Sequence, residues 1–172
     1  MTPEDRLLTL GLALPEPPTP VGAYVLAAQS GALLFVSGTT CYDNGRLLYR
    51  GKVGRDLTIE QGYAAARQTA LNLLAVLRLH LGSLERVAQV VKLNGYVNSA
   101  AGFIEQPAVI NGASDLLQAV FGDSGRHART SVGVAELPGD IPVEIEMVVQ
   151  VASPARRRRA SKPGRSGRGG AS

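Results

Sequence analysis

Residues 58–81 constrain the fold more than any other part of the chain. Thr58 is a capping residue with Gln61 three positions on, the spacing of a capping box. Ile59, Tyr63, Ala66, Ala70, Leu73, Leu77 and Leu81 then recur every three or four residues and form one apolar stripe. Gly82 follows as a left-handed stop. A helix with such a stripe must bury it, and the segments around it read as the strands of a sheet. Residues 24–28 and 33–37 are β-like, joined by Gln29-Ser30-Gly31, and Asp43-Asn44-Gly45 marks the tip of a small hairpin. Residues 87–97 read as a strand with Lys92 inside it. Residues 106–121 read as a second helix, with Pro107 tolerated in its first turn, Gly122 ending it, and Ile110, Leu116, Leu117, Val120 and Phe121 as its apolar positions.

Two further runs close the pattern. In 129–134, alternation places Arg129, Ser131 and Gly133 on one face and Thr130, Val132 and Val134 on the other. In 143–149, Glu144 and Glu146 share a face opposite Val143, Ile145, Met147 and Val149. Pairing of these runs across Leu137-Pro138-Gly139-Asp140 would set a guanidinium beside a carboxylate on the polar side of a sheet. That pair could hold a small anion and aim a water at it. The order ββ(β)αβαββ predicts an α+β fold: one mixed, mostly antiparallel sheet with both helices on one face. Arg129 and Glu144 are then expected on the other face, which needs a partner surface if much of it is apolar.

Composition narrows the function classes. Hydrophobic residues make up 45% of the 172, aromatics only 5%, with no Trp, so the core must be built from Ala, Val, Leu and Ile. The single cysteine, Cys41, cannot form an internal disulfide, which suits a reducing cytoplasm, and it reads as a small core residue. The acids in Met1-Thr2-Pro3-Glu4-Asp5-Arg6 argue against a secretory signal. No apolar stretch approaches the roughly 18 residues of a membrane helix. A soluble, cytoplasmic protein is expected. The formal charge of +4 is concentrated at one end. Residues 153–172 hold seven basic residues and no acid, and taking those seven from 18 leaves 11 basic against 14 acidic residues, a net of −3. The chain thus divides into a body, 1–152, and a basic tail, 153–172, expected to be disordered and to bind polyanions weakly. The body opens with one helical turn near 3–10 and an extended lead-in carrying Pro15, Pro17, Pro18 and Pro20. His80, His127 and Cys41 make no zinc-type set, and neither phosphate-loop pattern occurs. No metal and no cofactor are expected.

Taken together, Gly22-Ala23-Tyr24-Val25, Phe35-Val36-Ser37-Gly38-Thr39, Val90-Val91-Lys92, Val109-Ile110-Asn111, His127-Ala128-Arg129-Thr130-Ser131-Val132-Gly133-Val134, and Leu137-Pro138 followed by Val143-Glu144-Ile145-Glu146 form a recognisable series. The chain resembles the Rid family, also called the YjgF or reactive-intermediate deaminase family, over roughly residues 21–151. That resemblance implies a chorismate mutase-like fold. It implies a homotrimer whose sheets line a central barrel, with a site in each cleft between subunits. It also implies cofactor-free hydrolysis of enamines and imines, such as 2-aminoacrylate and 2-iminopropanoate, to 2-oxo acids and ammonia. By position, Arg129 matches the arginine that binds the substrate carboxylate, Glu144 the acid that orients water, and Tyr24, Ser37, Gly38 and Asn111 the lining of the cleft. Ser131, counted with the substrate-binding residues, stands where the family often has cysteine, and Gly125-Arg126-His127 replaces a commoner apolar-Pro run.

The chemistry fits those residue types. A planar guanidinium grips a carboxylate bidentately and keeps its charge, which leaves the imine carbon fixed for attack. A carboxylate can take a proton from water and return it to the departing nitrogen. Two other readings stay open at this level. One is a non-catalytic module that binds a small carboxylate such as a 2-oxo acid. The other is an RNA-associated or ribonuclease-like protein acting through its tail, against which stand the acidic body and a tail without aromatics.

Overall fold

The computed structural model describes residues 1–152; the basic tail lies outside the described residues. A short helix α1 (Pro3–Thr9) opens the chain, its Thr2 cap and Asp5 forming a full capping box. The lead-in that follows packs Leu12 and Leu14 against the core. Strands β1 (Ala27–Ser30) and β2 (Leu33–Thr39) form an antiparallel hairpin. The first strand starts later than the sequence suggests, leaving Tyr24 in the preceding loop. The hairpin of β3 (Tyr42–Asp43) and β4 (Arg46–Leu47) turns at Asn44 and Gly45, whose φ angles of 45° and 85° are left-handed, as the Asp-Asn-Gly signal requires. Then come α2 (Ile59–Leu81), β5 (Val87–Asn98), α3 (Gln106–Phe121), β6 (Ala128–Val134) and β7 (Val143–Val151). Thr58 and Gln61 make the expected capping box, and Gly82 closes α2 at φ 83°.

The main sheet runs β1-β2-β7-β5-β6, antiparallel throughout except where β5 and β6 pair in parallel. The mixed, mostly antiparallel α+β sheet is therefore as expected, but one pairing is not. β6 and β7 do not form a hairpin across Leu137-Pro138-Gly139-Asp140; β5 lies between them. The cause is the crossover through α3, which returns the chain parallel to β5 and sets β6 at the sheet edge. The strands also differ in what they can bury. In β7 the alternate residues Val143, Ile145, Met147, Val149 and Val151 are all buried, the pattern of a central strand. β6 offers Arg, Thr, Ser and Gly, and suits an edge.

Both long helices cover one face of the sheet. Burial on α2 extends well beyond the stripe, to Leu71, Leu74, Ala75 and Val76, because the lead-in passes its outer side. The two helices cross closely at Gly112: a Cβ there would overlap the Tyr63 carbonyl, so no larger residue fits without separating them. The opposite face of the sheet carries no helix. Leu33, Phe35 and Val132 stand exposed on it, with Phe35 at 47%.

Candidate functional site

The register of β5 with β6 decides where Arg129 points. Arg129 pairs with Leu93, whose side chain is fully buried under the helices, so both face α3. The guanidinium meets that helix directly: its Nη1 donates to Asn111 Oδ1 at 2.8 Å and to Ser114 Oγ at 3.0 Å. Asn111, Ser114 and Gln118 recur at helical spacing, giving α3 one polar edge above the edge strand. Together with Arg126, His127 and Arg129 they line an open groove of about 400 Å³. Both recorded bonds use Nη1, so among the described residues the Nε and Nη2 donors are unpaired, and none of the ion pairs involves Arg129. Two residues on, facing the same side, the Ser131 Oγ is buried without a partner. The Arg129 side chain lines the groove, whereas the sealed Ser131 hydroxyl does not.

Glu144 lies on the opposite face. It pairs with Tyr96 across β7 and β5, while its neighbours Val143 and Ile145 point into the core. The expectation that Arg129 and Glu144 share the polar side of the sheet is thus corrected: within one chain the sheet separates them. The error follows from the pairing. With β5 interposed, the face of each residue is set by its partner there: Arg129 stands opposite Leu93 and Glu144 opposite Tyr96, three residues apart and so on opposite faces. Around Glu144 the second acid is accounted for, since Asn94 Nδ2 and Tyr96 Oη donate to Glu146 Oε1 at 3.0 and 3.1 Å. Glu144 itself accepts no hydrogen bond among the described residues. Its carboxylate rests on Gly38, where a Cβ would overlap Oε1. Burial, with Glu146 adding to it, pushes its carboxyl above the ordinary glutamate range.

The remaining predicted residues divide between these two faces. Ser37 and Gly38 belong with Glu144. Ser37 Oγ donates to the Val25 carbonyl at 2.7 Å, tying down the loop that holds Tyr24. Tyr24 is 47% exposed and lines a groove with Val25, Leu26 and the α2 residues Val76, Leu79 and His80. Asn111 and Ser131 belong with Arg129. Cys41 is buried, as expected of a small core residue, and burial raises its thiol pKa. Sequence reasoning missed Ser114 and gave His127 no task. The available signal was the polar edge of α3, with Ser114 one turn beyond Asn111. Among the described residues no group of His, Cys, Asp and Glu could hold a metal, and no helix is long and apolar enough to cross a membrane.

Comparison with known proteins gives a consistent set of matches. A family described as YjgF/chorismate mutase-like, putative endoribonuclease, matches residues 4–141. Protein TCP17 of Trypanosoma cruzi is 44% identical over 147 residues, covering 85% of this chain and 92% of the relative. A 2-iminobutanoate/2-iminopropanoate deaminase of Dermatophagoides farinae is 28% identical over 145 residues, covering 81% and 94%. Among solved structures, a putative endoribonuclease from Shewanella oneidensis superposes with a TM-score of 0.85 at 38% identity, over 87% of this chain and 99% of the other.

Proposed function

The chain belongs to the YjgF/Rid, chorismate mutase-like family, and on that premise we propose that it hydrolyses reactive enamines and imines of small amino acids to 2-oxo acids and ammonia. The observation that carries this reading is Arg129: a guanidinium anchored at one nitrogen by Asn111 and Ser114, with its other donors unmatched by any acid among the described residues. A planar 2-imino carboxylate suits those donors. The distant deaminase relative supports the same substrate class.

Because Glu144 faces away from Arg129, the chemistry requires two copies. The Glu144, Gly38 and Ser37 side of one protomer, with the Tyr24 loop at its β1 edge, closes on the Arg129, Asn111 and Ser131 side of its neighbour. The homotrimer expected of the family supplies such clefts, and the apolar residues on the bare sheet face favour its burial. In that cleft Arg129 fixes the carboxylate. Glu144 takes a proton from water as the oxygen attacks the imine carbon, and the resulting carbinolamine collapses, expelling ammonia with the proton returned by Glu144. Carbon–nitrogen cleavage consumes one water and leaves the 2-oxo acid, without oxidation or reduction.

The test is ammonia release from imino acids freshly generated by an amino acid oxidase. Wild type should accelerate it, whereas Arg129→Ala should neither accelerate it nor bind pyruvate. Pyruvate binding by wild type without acceleration would establish a binding module instead. Cleavage of RNA by wild type and Arg129→Ala alike, without deamination, would favour the endoribonuclease reading in the family's description.

A further inference from the structure

Next to Arg129 stands a residue that no comparison assigns and that the sequence marks as a departure. His127 occupies the stretch where a commoner apolar-Pro run would precede the arginine. Its ring is partly buried between two fixed partners. Nδ1 lies 2.6 Å from the Gly125 carbonyl oxygen, and Nε2 lies 3.1 Å from Ser114 Oγ. A carbonyl can only accept, so the network assigns the ring proton to Nδ1. In the neutral ring Nε2 is then a lone pair, and Ser114 must donate to it. That donation uses the hydroxyl proton and turns the oxygen lone pairs outward, where Arg129 Nη1 donates at 3.0 Å. The polar chain thus runs in one sense: guanidinium to serine, serine to imidazole, imidazole to the Gly125 carbonyl. Gly125 is itself held close, since a Cβ there would overlap the Leu117 carbonyl, so the acceptor that ends the chain cannot drift.

We propose that His127 is a positioning residue, which, by accepting the Ser114 proton, holds Arg129 in the pose that receives the substrate carboxylate. Without His127, a serine in the middle of a helix turns its hydroxyl back to the carbonyl one turn earlier. The oxygen then swings away from Arg129, and only Asn111 still fixes Nη1. Burial lowers the imidazole pKa; the Gly125 carbonyl opposes this and Arg129 adds to it, and the net lowering favours the neutral ring that this network needs. The inference rests on the reading of Arg129 as the carboxylate ligand.

The experiment uses the full chain, pyruvate as the probe, and nitrogen-15 NMR of the histidine ring. Wild type should show the Nδ1-protonated tautomer at His127. His127→Leu and Ser114→Ala should each weaken pyruvate binding about five- to tenfold, the size of one ordinary hydrogen bond. The double variant should be no weaker than either single one. His127→Gln, whose amide oxygen can take the place of Nε2, should restore binding to within about twofold of wild type. An Nε2-protonated ring, unchanged binding in His127→Leu, or additive losses in the double variant would overturn the proposal. Should His127→Leu not fold, the tautomer and the Ser114→Ala and His127→Gln affinities decide it. Failure of the underlying reading looks different: there Arg129→Ala would still bind pyruvate.

Discussion

The two faces of the sheet are finished to different degrees. On the helix-covered side, Arg129 is held by Asn111 and Ser114, and Ser114 by His127, so its direction is fixed by side chains of its own chain. On the bare side, Glu146 has two donors, yet Glu144 has none among the described residues and is half-buried over Gly38 with a raised pKa. One half-site is pre-organised and lacks an anion. The other is a poorly solvated acid that lacks a cation. On the proposed function, the difference teaches that neither face alone is a complete catalytic unit, and that each lacks what the other supplies. A second copy of the chain is the simplest object carrying the missing half.

The strongest way to break this comparison is to remove the organised half. Arg129→Ala should reduce kcat/KM for imino acids about 10³-fold or more and abolish pyruvate binding in a titration, because a bidentate, charge-assisted contact is lost. Arg129→Lys should recover little, since an ammonium lacks the planar fork. Removing the other half should act differently. Glu144→Gln should reduce turnover about 10²-fold or more while pyruvate affinity stays within a few-fold, because general acid–base help is lost and the carboxylate clamp is not. Equal loss of binding in both variants would mean that Glu144 grips rather than catalyses.

Mixing the two dead variants sharpens the comparison further. If each site takes Arg129 from one copy and Glu144 from its neighbour, randomly co-assembled Arg129→Ala and Glu144→Gln chains leave about a quarter of the sites intact. Ammonia release should return to about that fraction of wild type after co-refolding. No recovery, in mixtures shown to contain both chains, would mean that the two residues do not meet between copies.

How far the sequence alone reached follows the range of the interactions. The caps at Thr58 and Gly82, the span of α3 and the burial alternation of β7 were legible because each is set within a few residues. The β6–β7 pairing was misread because period 2 tells which residues share a face of a strand and nothing about which strand lies beside it. That one error carried Arg129 to the wrong side; of the residues grouped with it, Asn111 and Ser131 are its neighbours in the fold, while Tyr24, Ser37 and Gly38 are not. Ser114 was illegible for another reason: a serine in mid-helix has many ordinary fates, and only the approach of Arg129 and His127 singles it out.

The smallest predicted effect is also the most direct probe of whether the halves meet. In a lone chain the Glu144 carboxyl is pushed above its ordinary range by burial and by Glu146. The protonated form is thus the better-tolerated one. The associated stability is fully present below the unfolded-state pKa and is lost as pH rises through the folded-state pKa. Glu144→Gln, which resembles the protonated acid, should therefore stabilise an unassembled chain at pH 7 by a few tenths of a kcal/mol after allowance for solvent screening, and leave it unchanged near pH 4. An opposing guanidinium reverses the sign, because a nearby positive charge favours the carboxylate and lowers its pKa. Carbon-13 NMR of the Glu144 carboxyl should accordingly find a lower pKa in the assembled wild type than in assembled Arg129→Ala. Arg129 cannot act at short range through the sheet of its own chain, so a difference between the two would come from the neighbour's guanidinium. Identical titrations in the two proteins would separate the faces for good.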